Sequence, residues 1–203
     1  ETIEPAYEGH FDLITSNIPF GDVSLFDPAF SSSRDPVRRQ GAWAIHNYFF
    51  MKSVDLVRDG GLVAFITSQG MADAERNRPV REWLMERCDL VAAVRLPNNL
   101  FTDHAGTEVG SDLIVLQKNS AASPLSERQR DFIETRTLSN GITVNNSFQS
   151  LDRVVQTSAK VGTNPYGKPA MEFTHAGGVE GIARALADML AEDMERHFNR
   201  ELY

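Results

Sequence analysis

The residues best suited to chemistry in this sequence are four in a row, Asn17-Ile18-Pro19-Phe20. They come directly after the apolar run from Phe11 to Ser16, which has the length and composition of a short buried strand. The Asn17 side-chain oxygen and one backbone carbonyl oxygen can accept hydrogen bonds from the two N–H groups of a planar amine. Pro19 restricts the backbone and stiffens the turn. A buried strand that ends in a rigid turn of this kind predicts part of an enzyme site.

The elements around this turn indicate an α/β sheet, because strand and helix patterns alternate from Phe11 to Lys118. The predicted elements are a strand from Phe11 to Ser16, a helix from Trp43 to Val57 with Gly60-Gly61 as its stop, a strand from Leu62 to Thr67, a helix from Asn77 to about Cys88, a strand from Leu90 to Leu96, and an antiparallel hairpin that pairs Thr107-Glu108-Val109 with Asp112 to Gln117. The continuously apolar strands are typical of a largely parallel, doubly covered sheet.

Past Lys118 the pattern weakens. We expect residues 119–178 to be a connector with turns and a short strand or two, and residues 179–203 to be a C-terminal helix. Ile182, Leu186, Met189, Leu190 and Phe198 fall on one side of that helix, which either packs on the core or meets a partner. The predicted division is therefore 1–118, 119–178 and 179–203.

The amino-acid composition limits which kinds of protein this chain can be. The chain has 203 residues, 41% of them hydrophobic, which is enough for a packed core. A single cysteine, Cys88, and five histidines without ligand spacing predict no disulfide and no metal site. The net charge of −8 disfavours a protein that grips nucleic acid alone, since lysine and arginine supply most non-specific affinity. The sequence has neither a membrane-spanning run nor a signal peptide pattern, so we expect a cytoplasmic protein.

Several ordered blocks resemble one family. The segment from Asp12 to Gly21 resembles motif IV of the adenine-N6 DNA methyltransferases, whose usual form is Asn/Asp-Pro-Pro-Tyr/Phe. Further blocks are similar to the later strands of type I modification subunits and of the methylase-helicase proteins of mobile elements: His46 to Phe50, Asp59 to Thr67, Arg95-Leu96-Pro97 with Phe101, Thr107, and Leu113 to Lys118. The resemblance covers about Phe11 to Lys118. It implies a partial Rossmann-like methyltransferase sheet, made of its later strands and an antiparallel C-terminal hairpin, with a C-terminal helical extension.

This resemblance assigns roles to the four residues of the turn. The Asn17 side-chain oxygen and the Ile18 carbonyl would accept from the exocyclic amine of adenine, Pro19 would stiffen the turn, and Phe20 would stack on the flipped base. Ile18 departs from the family's proline, which keeps the carbonyl but loosens the turn. Taken alone, the four residues could equally be a strand-terminating turn with a core-facing phenylalanine.

The resemblance also implies S-adenosylmethionine as cofactor, with Asn17 touching its methionine end. The glycine-rich loop and the acidic residue that hold this cofactor precede motif IV in the family, and Gly9 is the only glycine before the strand here. We therefore expect the back half of a catalytic domain, inactive alone. Its first strand would leave an open parallel edge for the missing N-terminal half. DNA, and a helicase or specificity module, are the other expected partners.

Two further segments carry arginines or a similar motif. Arg34, Arg38 and Arg39 follow the turn and would either contact DNA phosphates or form a solvated surface. Arg76, Arg78 and Arg81 indicate an exposed helix start. Asn164-Pro165-Tyr166-Gly167 is closer to the family's literal string, but no buried strand precedes it, so we interpret it as an ordinary loop.

Three functions remain open from sequence. The first is adenine-N6 methylation of DNA in a restriction-modification or mobile-element protein. The second is methylation of protein glutamine or of RNA, since similar turns serve both. The third is a non-catalytic methylase remnant that acts as a scaffold or a DNA-contacting module.

Overall fold

The computed structural model describes residues 5–203 except residues 22, 103–105, 107, 122 and 165–166. The strands are β1 (Phe11–Asn17), β2 (Val57–Ser68), β3 (Cys88–Leu96), β4 (Ser111–Lys118), β5 (Thr135–Thr137), β6 (Thr143–Asn145), β7 (Ser158–Thr163) and β8 (Pro169–Thr174). The helices are α1 (Pro28–Ser31), α2 (Pro36–Gly41), α3 (Ile45–Leu56), α4 (Gly70–Asp73), α5 (Arg78–Met85), α6 (Glu127–Ile133) and α7 (Gly178–His197). The predicted α/β class is confirmed.

The central sheet has the strand order β1-β2-β4-β3. β1 runs parallel to β2, and β4 runs antiparallel to both β2 and β3. β1, β2 and β3 therefore point the same way, so their carboxyl ends meet at one edge of the sheet. Sites in open α/β sheets are usually built at this edge.

β1 is an edge strand within the described part of the chain, since it pairs only with β2 there. Most of its residues are exposed, including the apolar Phe11 at 38% and Leu13 at 52%. Leu13 is the register partner of Leu62, which packs beside the cluster under α7, yet Leu13 itself is uncovered. Within the described residues, β1 therefore keeps one unpaired side that carries apolar residues.

The core lies on both faces of this sheet. On one face, the main cluster joins β1 and β2 to α3 and α5, with Phe50 and Phe65 in contact at 5.1 Å between ring centroids. On the other face, α7 covers β3 and β4. The apolar side predicted for this helix packs on these clusters, with Ile182 buried and four residues partly buried: Leu186, Met189, Leu190 and, just after the helix, Phe198.

Gly60 and Gly61 do not end a helix, which corrects the sequence prediction. α3 ends at Leu56 and β2 begins at once, so both glycines lie inside the strand. The register with β1 shifts at this point, which marks a bulge. Gly60 has a φ of +79°, and a Cβ there would lie 2.1 Å from the carbonyl oxygen of Leu202. The pair is needed for a bulged strand that the C-terminal residues approach closely.

The predicted hairpin also needs correction. β4 pairs with β3 and β2, whereas Glu108 and Val109 lie outside any strand and Thr107 lies outside the described residues. The C-terminal antiparallel hairpin is β7 with β8. The segment after Lys118 holds more structure than sequence predicted, since α6 begins with a capping box of Ser126 and Gln129.

Candidate active site

The candidate turn begins at the carboxyl end of β1. Asn17 is the last residue of the strand and is in register with Ile66 of β2. The backbone N–H of Ile18 donates a 2.9 Å hydrogen bond to the carbonyl oxygen of Ile66. The turn is therefore tied to β2 one residue beyond the strand, at the edge where the parallel strands end.

Ile18 anchors the turn from below. Its side chain is only 1% exposed and belongs to the main core cluster, together with Phe30 and Phe65. Burial of an isoleucine side chain is worth about 1.5–3 kcal/mol. Sequence reasoning expected the replacement of proline by Ile18 to loosen the turn, and it missed this anchor because the side chain's direction cannot be read from the motif.

The acceptors of the turn are available. The Asn17 side chain is exposed, and no described residue forms a hydrogen bond with it or with the Ile18 carbonyl oxygen. These are the two oxygens that the resemblance assigns to an amine. Their freedom means that a ligand can be bound without first breaking a bond inside the described part of the chain.

Phe20 lies beside a second strand end. Its ring contacts Phe101 edge to face, with 5.7 Å between the centroids, and stays 36% exposed. Phe101 ends a short 3-10 helix, Asn98–Phe101, that follows β3. The structure thus brings together two residues, Phe20 and Phe101, that lie 81 positions apart, and leaves the Phe20 ring free to contact a further planar group.

A buried polar network supports this edge from the helical side. Asn77, 3% exposed, donates from Nδ2 to the carbonyl oxygen of Gly70 at 2.7 Å and accepts at Oδ1 from Asn47 at 2.9 Å. His46 Nε2 lies 3.2 Å from Asn77 Nδ2. These bonds fix α4, which begins two residues after β2, against α3. Sequence reasoning placed His46 and Asn47 in a resembling block but assigned them no role.

A buried ion cluster holds the opposite end of the same edge. Arg95 of β3 makes two hydrogen bonds, of 2.9 and 3.1 Å, to its register partner Asp112 of β4, and one of 2.9 Å to Asp73 of α4. Its guanidinium also lies 4.1 Å from the ring centroid of Phe148. Burial raises the pKa of Asp112, and the charge of Arg95 opposes that rise. The cluster ties the two strands to the helix that follows β2.

The three arginines after the turn have different surroundings. Arg38 is committed to Asp55 through hydrogen bonds of 2.8 and 2.6 Å, which raise the pKa of its guanidinium, and it lies 4.4 Å from the ring centroid of Phe30. Arg34 and Arg39 are exposed, and Arg39 donates to the carbonyl oxygen of Ser33 at 2.6 Å. Arg34 and Arg39 can reach a phosphate as they stand, whereas Arg38 would first have to leave Asp55.

The second Asn-Pro-Tyr-like segment lies in the connection between β7 and β8. Asn164 and Lys168 are joined by a backbone hydrogen bond of 2.8 Å, and Gly167 has a φ of +76°. Pro165 and Tyr166 lie outside the described residues. The flanking geometry is that of a hairpin turn.

The site's fit to cofactors is limited to one side. Within the described residues, no group of three or more histidine, cysteine, aspartate or glutamate side chains could hold a metal ion. The Asn17 side-chain amide, which no described residue bonds, is available to a bound molecule. In the described part of the chain, no helix has the length and apolar character needed to cross a bilayer.

Comparison with known proteins gives a family. The sequence profile described as N-6 DNA Methylase matches residues 2–183. No curated protein sequence matches the chain. Among solved structures, a modification subunit of a putative type I restriction enzyme from Vibrio vulnificus YJ016 is similar, with a TM-score of 0.47 and 14% identity over 85% of this chain and 38% of that one.

Two other solved structures are also similar. The M protein of the type I restriction enzyme EcoKI has a TM-score of 0.39 and 12% identity over 91% of this chain and 48% of that one. A putative class I S-adenosylmethionine-dependent methyltransferase from Listeria monocytogenes has a TM-score of 0.44 and 16% identity over 57% of this chain and 34% of that one. The chain spans less than half the length of each of these proteins.

Proposed function

The chain belongs to the N-6 DNA methylase family, and from that premise we propose that it is the target-base half of an S-adenosylmethionine-dependent DNA methyltransferase that modifies the exocyclic amine of adenine. The observation that supports this most directly is the turn at the end of β1. It presents the Asn17 side chain and the Ile18 carbonyl, neither of them bonded by a described residue, near the partly exposed ring of Phe20. The turn lies where the carboxyl ends of three strands meet.

The residue types suit the chemistry. The lone pair of an exocyclic amine is delocalised into the base, which makes the nitrogen a poor nucleophile. When the Asn17 side chain and the Ile18 carbonyl accept hydrogen bonds from its two N–H groups, the nitrogen moves toward tetrahedral geometry. Its lone pair then becomes available to attack a methyl group. Because these acceptors are neutral oxygens, the site needs no strong base, and the released proton can leave to water.

Phe20 supplies the platform for the base. An adenine inside a duplex cannot reach the turn, so it has to be flipped out at a cost of a few kcal/mol. Stacking on an aromatic ring returns about 1–3 kcal/mol per base. Phe101 holds the Phe20 ring edge to face, which limits its rotation.

S-adenosylmethionine, when bound, would supply an electrophilic methyl group. The residues of this chain that would flank it are Asn17 and the exposed side of β1. We propose that the rest of its site comes from a polypeptide segment that pairs with β1, because Phe11 and Leu13 are left exposed at that strand. By this proposal the described chain alone does not transfer methyl groups.

An Asn17→Ala variant tests the proposal in the full-length context of the sequence. We expect methyl incorporation into adenine of duplex DNA to fall by at least about 100-fold, the usual effect of removing one aligned polar group from a site. The unfolding temperature should hardly change, since the side chain is exposed and no described residue binds it. Mass spectrometry of DNA digests would identify N6-methyladenine, and parallel reactions with RNA and protein would test the other substrates.

Gln149→Ala is the matched control. It also removes an exposed side-chain amide, but Gln149 follows the 3-10 helix Asn146–Phe148 and is far along the chain from Asn17. It should leave methylation unchanged. Full methylation by the Asn17→Ala variant would refute the catalytic assignment, and label that appears on protein or RNA instead of DNA would move the substrate to that class.

A further inference from the structure

Two aromatic side chains near the candidate turn are almost entirely exposed. Phe26 is 85% exposed and Trp43 is 70% exposed. Isolated apolar residues at a surface are ordinary, whereas larger exposed apolar patches usually mark a binding site. We refer to these two residues as the aromatic pair.

The structure displays the aromatic pair on an ordered support. The backbone N–H of Leu25 donates a 2.8 Å hydrogen bond to the carbonyl oxygen of Ala42, so the residues just before the two rings are joined. Ala42 is buried in the main core cluster, and Phe30, on α1, is fully buried in the same cluster. The rings are therefore held outward by a packed segment instead of hanging from a free loop.

The charges around the aromatic pair favour a partner with phosphates. Arg34 and Arg39 are exposed in the same segment. The described acids of this segment, Asp27 and Asp35, are each used as helix N-caps, and Asp27 also meets Lys52 at 3.3 Å. A chain with a net charge of −8 thus shows exposed arginine and aromatic side chains together on this surface.

The aromatic pair is also within reach of the candidate turn. Phe26 lies six positions after Phe20, and an extended chain spans at most about 3.6 Å per residue, or about 22 Å in total. That distance corresponds to about six nucleotides of one DNA strand at about 3.4 Å each. A single strand of about that length bound at Phe20 is therefore long enough to reach Phe26.

We propose that the aromatic pair binds unpaired DNA bases next to the flipped adenine, with Arg34 and Arg39 on the adjoining phosphates. Aromatic faces with arginine beside them are the usual means of binding single-stranded nucleic acid without reading its sequence. The inference rests on the proposed function for its substrate class. It adds a second contact that would stabilise the opened duplex while one base is at the turn.

DNA binding measured by fluorescence anisotropy tests this inference. The probes are a labelled 20-nucleotide mixed-sequence single strand and a duplex of the same sequence in which an adenine and the bases on either side of it are unpaired. Phe26→Ala and Trp43→Ala should each weaken binding of both probes by about 5-fold to about 140-fold, which corresponds to about 1–3 kcal/mol per stacked base. Trp43→Phe should retain most of the affinity. Bound DNA should also quench tryptophan fluorescence, since Trp43 is exposed and the other tryptophan, Trp83, is only 5% exposed.

Leu151→Ala is the control, because Leu151 is 50% exposed on another segment and should leave binding unchanged. Each of Arg34→Ala and Arg39→Ala should reduce the salt dependence of single-strand binding by about 0.7 in slope. The inference is overturned if the wild-type chain binds neither probe at low salt, or if both alanine variants bind as wild type does. It is also overturned if these variants change only the self-association seen by sedimentation, which would make the pair a protein interface.

This inference and the proposed function can be refuted separately, because one is tested by DNA binding and the other by methylation. Unchanged binding by both Phe26→Ala and Trp43→Ala would remove the aromatic pair from the substrate contact while methylation still depended on Asn17. Methylation that survives Asn17→Ala would refute the catalytic turn while base stacking could still be measured.

Discussion

The N–H of Ile18 donates a 2.9 Å hydrogen bond to the carbonyl oxygen of Ile66, and the Ile18 side chain is buried in the core beneath it. One residue therefore fixes the turn from two directions. Its neighbour Asn17 points a free amide out of the protein from the same short stretch of backbone. Rigid support next to an unused polar group is the arrangement expected of a preorganised site.

Ile18→Ala should destabilise the protein by about 2–5 kcal/mol, because it opens a cavity in the main cluster. It should also reduce methylation more than the lost stability explains, since the Ile18 carbonyl then rests on a looser turn. Urea unfolding and methyl transfer at a temperature where both proteins are folded would measure the two effects.

Ile18→Val is the conservative control for that experiment. It keeps the backbone and most of the buried volume, so it should cost about 0.5–1.5 kcal/mol and leave methylation near the wild-type level. A normal methylation rate for folded Ile18→Ala would show that the anchor matters for stability alone.

Leu13→Lys should weaken the pairing of β1 with a strand from another chain or segment. Leu13 is 52% exposed on β1, and a lysine on an edge strand disfavours pairing with another strand. We expect lower self-association of the chain, or weaker binding of the segment that completes the sheet, with little change in the chain's own unfolding. Sedimentation velocity at several concentrations would measure it.

Leu151→Lys places the same charge on a residue of nearly the same exposure, 50%, away from the sheet edge. It should leave association unchanged. If both lysine variants dissociate the assembly equally, net charge is responsible, and the open edge of β1 is not the contact.

The sequence predicted the position of the candidate turn because two strong patterns coincide there. The apolar run of β1 and the polar-aromatic turn leave little freedom in where the strand ends, and the strand indeed ends at Asn17. The apolar side of α7 was equally predictable, since its spacing has the helical period and the structure buries it on β3 and β4.

The features that were missed depend on contacts between distant residues. Gly60-Gly61 has the composition of a helix stop, but the close approach of Leu202 to a bulged strand is what requires it. Arg81, expected at an exposed helix start, is fully buried and donates to the carbonyl oxygens of Ile133, Met71 and Ala74. No local pattern shows that three carbonyl groups will surround a guanidinium.

The Arg95–Asp112 pair predicts strong coupling between two mutations. Asp112→Asn should destabilise the protein by about 3–5 kcal/mol, because it removes one partner from a buried charge. The double variant Arg95→Met/Asp112→Leu should be clearly more stable than Asp112→Asn, since it removes both charges and keeps the volume. Urea unfolding of Arg95→Met, Asp112→Leu and the double variant, each compared with wild type, would measure the coupling.

Glu192→Gln is the exposed counterpart for this measurement, since it breaks the surface pair with Arg196 and should cost less than about 1 kcal/mol. Equal losses in Asp112→Asn and Glu192→Gln would mean that Arg95 is adequately held by Asp73 alone.

Asp27 predicts how acid acts on the segment that follows the turn. Burial by itself would raise the pKa of Asp27, but hydrogen bonds from Tyr48 and Ala29 and the charge of Lys52 outweigh burial and hold the pKa below its ordinary value of 3.8. A carboxyl whose pKa is lowered on folding stabilises the protein fully above pH 3.8, and this contribution is lost as the pH falls through the lower folded pKa. Asp27→Asn keeps an oxygen that can cap the helix but loses the negative charge that Tyr48 and Lys52 bind. It should therefore be less stable than wild type at pH 7 by about 0.5–2 kcal/mol.

The difference in unfolding free energy between wild type and Asp27→Asn should be constant from pH 7 to about pH 5 and then shrink toward about pH 2. Urea unfolding at several pH values would measure it, and taking the difference removes the contribution of every other carboxyl group. A gap that widens in acid would mean that the pKa of Asp27 is raised in the folded protein, and that burial outweighs Tyr48, Ala29 and Lys52.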